Sequence, residues 1–369
     1  MNPCITWAIL SFSIEKIKRK GSLSNELFAI HYRLRYNHRM ANWEMIGQEW
    51  AVEMLQQHIR SDQVRHAYLF CGPRGVGRRT LALRFAQALN CLQPLEVGVP
   101  CGTCRTCRQI EAMQQADLHI VQAEIEGGVL KVENIRDLQH ALTLTPYESK
   151  YRVAILLRFE EANESTQNAL LKTLEEPNPR VVILATAENE EKLLPTVVSR
   201  CEVMHLRPAS LESLTIALQQ RGVDTEEAGL LAHVVGGRAG MALRMHAAPA
   251  LMEKRRQYIE DLLELEGSPL RDRFAFADRV SKYKSGERGE TKEDLRAMLE
   301  TWLSFWRDVL LMATNATVPL NNPDYAQQER ALAVKLGVPG AKKKVHAHQQ
   351  ALERLYFANL RLMMEIVLL

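Results

Sequence analysis

The stretch Gly72-Pro73-Arg74-Gly75-Val76-Gly77-Arg78-Arg79-Thr80 has the glycine spacing of a phosphate-binding loop. Glycines let backbone N–H groups curl around phosphate oxygens, and the N-terminus of the helix that follows adds positive potential. In a working loop Gly77 would be followed by Lys, which reaches the terminal phosphates. Ser or Thr would come next, with its hydroxyl on Mg2+. These two places hold Arg78 and Arg79. A guanidinium at 78 can still meet a phosphate, but Arg79 cannot ligate a cation. Thr80 brings its hydroxyl one residue late, about 100° around the helix. Gly72, Gly75, Gly77, Arg78, Arg79 and Thr80 therefore read as a degenerate nucleotide-binding loop. The second half of such a site fails too. The expected strand Arg152–Leu157 should end in an acid for the Mg2+ shell, followed by one that polarises water, yet it runs into Arg158. Glu160 and Glu161 come later and read as the start of a solvated turn, the alternative being displaced metal-site acids. Both losses point to a nucleotide fold that hydrolyses ATP poorly or not at all, with ATP and Mg2+ absent from the site or weakly held.

Cys91, Cys101, Cys104 and Cys107 form the second chemical group. Four clustered thiols without a convincing secretion signal favour a metal over disulfides. Tetrahedral Zn2+ takes four thiolates at about 2.3 Å, which leaves no open position, so the site is expected to be structural. The alternative is four unliganded thiols. Cys71 and Cys201 adjoin or lie in expected strands and read as packing residues.

The elements that must position these groups are legible as buried apolar runs separated by helical stretches. The expected strands are 67–71, 118–122, 152–157, 181–186 and 202–206. Strands alternating with helices imply a parallel sheet covered on both faces. Residues 211–247 read as a small all-helical unit. From about 250 the pattern is helical, with Leu299, Trp302, Leu303, Trp306, Val309 and Leu310 at helical spacing. The Trp302/Trp306 face is either domain core or a subunit contact. Asn315–Gln327 reads as a polar loop, and Lys282 and Lys284 as a solvated face. Composition is that of an ordinary globular protein, with 46% hydrophobic and 25% charged residues in 369. A net charge of +3 gives no electrostatic case for a stand-alone nucleic-acid binder, and no apolar run is long enough to suggest a membrane span. Residues 1–39 look foreign to the rest: Lys16, Lys18, Arg19, Lys20, Arg33, Arg35 and Arg39 face only Glu15 and Glu26. They read as a mis-assigned start ahead of Met40 or as an extension, with a DNA-touching basic arm as the rival.

Three motifs then carry a resemblance. Asn168-Ala-Leu-Leu-Lys-Thr-Leu-Glu-Glu-Pro177, Ser199-Arg200-Cys201 and the four cysteines occur in the order found in the bacterial DNA polymerase III clamp-loader AAA+ family. The likeness covers roughly residues 43–210, and the architecture extends it to the C-terminus. It implies an α/β AAA+ P-loop domain with a parallel five-stranded sheet over 40–208, including a zinc module at 91–107. A helical lid over 209–248 and an all-α collar domain over 249–369 would follow. The blunt loop, the non-acidic strand end and Gly240, where ATPase members place a sensing arginine, resemble the delta-prime type more than gamma/tau. The resemblance assigns Arg200 as a finger reaching into a neighbour's ATP site. It makes gamma/tau and delta subunits, the sliding clamp and primer–template DNA the partners in a cytoplasmic heteropentamer, with no membrane. A gamma/tau-like subunit with its own ATPase activity is the main alternative, and a zinc-bearing DNA-binding module the third.

Overall fold

The computed structural model describes residues 42–281, 292–356 and 358–369. The N-terminal extension, Cys4, Met40, Lys282 and Lys284 lie outside them. Five strands, β1 (Ala67–Cys71), β2 (Leu118–Val121), β3 (Arg152–Leu156), β4 (Val181–Ala187) and β5 (Glu202–His205), form one parallel sheet in the order β2-β3-β4-β1-β5. They match the expected runs to within a residue at each end. Side chains alternate across a strand, and the sequence uses both faces. Tyr68, Phe70, Val153, Ile155, Val182 and Leu184 enter one core. Leu69, Ala154, Leu156, Ile183 and Ala185 enter the other. Helices α1 (Glu49–Arg60) and α2 (Arg78–Asn90) cover the first face through Leu55, Leu81 and Phe85. A short helix α3 (Arg105–Glu111) packs beside α2. Helices α4 (Val132–Leu142) and α5 (Glu164–Glu175) cover the second face through Ile135, Leu138, Leu170 and Leu174.

The edge of the sheet is fixed by a buried ion pair. Asp117 accepts the backbone N–H groups of Tyr147, Glu148 and Ser149, and Arg152 donates to it at 3.2 Å. Burial alone would push the Asp117 carboxyl up, but these N–H donors outweigh it and hold it below its ordinary range.

After the one-turn helix α6 (Pro195–Val198) and β5, three helices, α7 (Leu211–Gln219), α8 (Thr225–Val234) and α9 (Ala239–Ala247), close on their own core of Leu214, Leu218, Leu231 and Ala242. Among the described residues five more follow: α10 (Ala250–Gly267), α11 (Leu270–Ser281), α12 (Lys292–Ala313), α13 (Ala326–Arg354) and α14 (Leu360–Leu368). Gly337, at φ 59°, ψ −176°, breaks α13 two residues before Pro339. Trp302 and Trp306 are fully buried in this helical core, so that face is domain core and not a subunit contact. The expected loop 315–327 is shorter than its composition suggests. Asp308 accepts the N–H groups of Asn321 and Asn322, and Arg255 grips Asp324 with two bonds. Those bonds let a helical turn start at Pro323 and α13 at Ala326.

Candidate phosphate-loop and cysteine sites

Strand β1 ends at Cys71 and α2 begins at Arg78, so the glycine loop sits at the strand-to-helix turn where a phosphate would meet a helix N-terminus. Gly77 caps α2 in the left-handed region at φ 110°, a conformation that favours glycine. The frame of the loop is therefore intact, and its side chains are what differ.

Arg78 is buried and points to Glu160, with Nη1 3.8 Å from Oε1. That separation allows Coulomb attraction but no hydrogen bond, and among the described residues Arg78 Nη1 and Glu160 Oε2 have no hydrogen-bond partner. Burial lowers the Arg78 pKa and raises that of Glu160, moving each toward its neutral form despite the pairing. The expectation of a solvated turn at Glu160 and Glu161 fails here. The turn Phe159–Glu161 packs its phenyl ring into the sheet core, which pulls both carboxylates inside. Glu161 then accepts from the Gly127 N–H at 2.7 Å and from Arg158 at 2.8 Å. Glu160 accepts the Glu188 N–H at 3.2 Å. Arg79 and Thr80 are exposed, and Arg79 donates to the Met113 sulfur.

Two further features of the loop had no sequence signal. Arg74 contacts three carboxylates, Glu188 at 2.6 Å, Glu126 at 2.9 Å and Glu293 at 3.4 Å, and Arg296 adds a bond to Glu188 at 3.2 Å. This cluster ties the phosphate loop to α12. Burial alone would raise the Glu188 carboxyl, but Arg296 and Arg74 outweigh it and hold it below its ordinary range. Glu188 and Glu293 lie more than a hundred residues from Arg74 in sequence, so only the fold could reveal them. The second feature is a backbone bond: Gly240 N–H donates to the Gly75 carbonyl at 2.8 Å. A Cβ at 240 would stand 2.9 Å from that oxygen. Glycine is thus what lets α9 rest directly on the phosphate loop. Arg74, Glu126, Gly240, Glu293 and Arg296 line a cleft of about 680 Å³ that also takes in Gly75, Gly77, Arg78, Arg79 and Thr80 but not Arg200.

Arg200 lies between α6 and β5, about one-third exposed. It donates to Glu175 at the end of α5 at 2.6 Å and to the Thr196 carbonyl at 2.8 Å. On α5, Leu170 and Leu174 are buried while Glu175 and Glu176 face solvent.

At the far end of α2, Cys91 is its C-cap, and Cys104 caps α3 by accepting the Cys107 N–H. The Cys101 N–H points at the Cys91 sulfur and the Cys104 N–H at the Cys101 sulfur. All four Sγ atoms lie within 4.8 Å of one another. Two of the separations are 3.6 and 4.0 Å, far longer than a disulfide. A tetrahedral ion with bonds of about 2.3 Å requires sulfur separations of about 3.8 Å, so the donor set fits a metal such as zinc. Burial pushes the Cys91 and Cys107 thiols up. At Cys101 burial is outweighed by the Cys104 and Thr103 N–H groups, which bring it down to about 6. Among the described residues no helix is long and apolar enough to cross a membrane.

Residues 47–210, which span this sheet and both sites, match the family described as DNA polymerase III, delta subunit. DNA polymerase III subunit delta' of Bacillus subtilis is 34% identical over 50% of this chain and 54% of its own length. Subunit delta' of Pseudomonas aeruginosa is 36% identical over 58% of this chain and 66% of that protein. Subunit tau of Escherichia coli is 35% identical over 48% of this chain and 27% of that protein. The chain thus spans about half the length of the first delta' relative and about a quarter of tau. Through residues 47–210, the chain belongs to the DNA polymerase III clamp-loader AAA+ family that holds the delta-prime and tau/gamma subunits.

Proposed function

We propose that this chain is a delta-prime-type clamp-loader subunit that does not turn over ATP in its own site and supplies Arg200 to a neighbouring subunit. The observation that supports this most directly is the Arg78–Glu160 pair. The cation standing where a lysine would meet phosphate and the nearest carboxylate face each other inside the protein. Neither is free for MgATP, and no hydroxyl follows at 79. The Gly240–Gly75 bond and the Arg74 cluster favour the same reading, because they engage the loop from the cleft side.

In this reading the four-cysteine module holds structural Zn2+ through Cys91, Cys101, Cys104 and Cys107. The metal would fix the α2–α3 corner and supply no chemistry beyond that. Residues 211–247 act as the lid and the helices beyond 249 as the oligomerisation collar. Arg200 exchanges its bond to Glu175 for a phosphate oxygen of the adjacent subunit, where a guanidinium stabilises charge on the transferring group. The partners are gamma/tau and delta subunits, the sliding clamp and primed DNA, which the assembly contacts mainly through phosphates.

The test mixes the purified chain with a gamma/tau-type ATPase, delta and clamp from one source and measures DNA-stimulated ATP hydrolysis. The chain alone is expected to be inactive and the wild-type mixture stimulated. Arg200→Ala should assemble normally yet lower stimulation by at least about tenfold, given the 10³–10⁵ that such fingers supply in other nucleotide hydrolases. Hydrolysis by the chain alone that is lost in Arg78→Ala would establish the gamma/tau-like alternative instead.

A further inference from the structure

We propose a second metal-binding site, formed by Cys71, Glu190 and His205 at the C-terminal ends of β1 and β5, that takes a borderline divalent cation such as Zn2+. Cys71 and His205 are register partners on adjacent parallel strands, so their side chains leave the same face of the sheet side by side. Glu190 opens the turn Glu190–Lys192 just after β4, the strand on the other flank of β1. Its Oε2 lies 3.6 Å from His205 Nε2, and one donor atom of each of the three residues lies within 4.8 Å of the others. One ion with bonds of about 2.0–2.3 Å needs such donors about 3.3–3.8 Å apart, a spacing that small rotations of the exposed Glu190 and His205 side chains reach.

The chemistry of the set chooses the ion. A thiolate beside an imidazole suits Zn2+ or Co2+, whereas Mg2+ and Ca2+ prefer all-oxygen shells. The shape sets the access. Cys71, 3% exposed, forms the floor. The Glu190 and His205 side chains, 37% and 57% exposed, form the rim. An ion enters from solvent, displaces the Cys71 thiol proton to water, and keeps a position for a water ligand. No residue is shared with the four-cysteine cluster. Glu190 and His205 also bracket the segment that carries α6 and Arg200, so an ion held there ties both ends of that segment to β1.

The test titrates the full chain, purified without chelator, with Co2+ and follows its absorption. Wild type is expected to take up one equivalent more than His205→Ala. That extra equivalent should show a Co–thiolate charge-transfer band weaker than that of a four-thiolate site. Glu190→Gln should weaken the extra equivalent at least tenfold, and Cys71→Ser should remove its charge-transfer band. Since the His205 side chain is more than half exposed, its replacement is expected to leave the thermal unfolding of the metal-free chain unchanged, which circular dichroism checks. Hydrogen exchange over residues 190–205 should slow with the extra equivalent in wild type and not in His205→Ala. Equal uptake by wild type and His205→Ala overturns the proposal, as does an extra equivalent without a thiolate band.

Discussion

Helix α2 carries a candidate site at each end, and the two ends differ in how complete their donor sets are. At its C-terminus Cys91 joins three other thiols in a complete four-donor set. At its N-terminus the glycine loop has a phosphate-loop turn but carries Arg78 and Arg79 where a working loop has a lysine and a hydroxyl. The difference separates two kinds of requirement. A thiol cluster works only with all its donors, because each missing thiolate leaves an ion under-coordinated and the loop unpinned. A phosphate loop also serves as a strand-to-helix turn that delivers Leu81 and Phe85 to the sheet core, and that duty needs only the glycines. In this loop the arginines make internal ties, from Arg78 to Glu160 and from Arg74 to Glu188 and Glu293.

The sharpest way to break this contrast is Cys107→Ser, at a fully buried donor. It should destabilise the chain by more than about 3 kcal/mol if a structural metal is held there. Urea unfolding measures this, and a loss below about 1 kcal/mol would mean the cluster is only packing. Next in size is Gly240→Ala. Its Cβ would meet the Gly75 carbonyl at 2.9 Å between two backbones that are bonded to each other. A loss of about 1–3 kcal/mol is expected from such overpacking, read as a lower Tm. No change in Tm would show that α9 does not press on the loop.

A smaller effect concerns pH. Burial raises the Glu160 pKa in the folded state. The folded protein therefore holds that proton more tightly than the unfolded chain, and the contribution is fully present below the ordinary carboxylate pKa. It is lost as pH rises through the raised value, with a slope of at most about 1.4 kcal/mol per unit. Stability curves of wild type and Glu160→Gln across that window should converge at low pH and separate as pH rises, in favour of Gln. Parallel curves would mean that Arg78 keeps Glu160 ionised throughout. The smallest expected change is the stability of Arg200→Ala. Its pair with Glu175 is half open to water and worth less than about 1 kcal/mol. A large stability loss there would move Arg200 from a working surface residue to a structural one and undercut its proposed role at a neighbouring site.

Much of this was legible without coordinates. The five strand runs, the helical units and the damaged loop follow from hydrophobic period and from residue types at fixed offsets, which are local properties. The cysteine cluster was equally legible, since its four donors fall between 91 and 107. The Glu160–Glu161 turn departs from its sequence reading because two adjacent acids look solvent-facing. Its burial comes from Phe159 beside them and from donors at 127 and 188 that no local pattern announces.

The sequence by itself determined the fold class, the motif order that marks the family, and the arginines at 78 and 79 in place of a lysine and a hydroxyl. Only the tertiary structure decided where the charges went. It turned Arg78 onto Glu160, gathered three carboxylates around Arg74, rested Gly240 on Gly75, and set Cys71 beside His205 and Glu190. The physical reason is range. Helix and strand periods are written within a few residues of chain, whereas a buried charge takes whichever partner the packing of distant elements brings within a few ångströms.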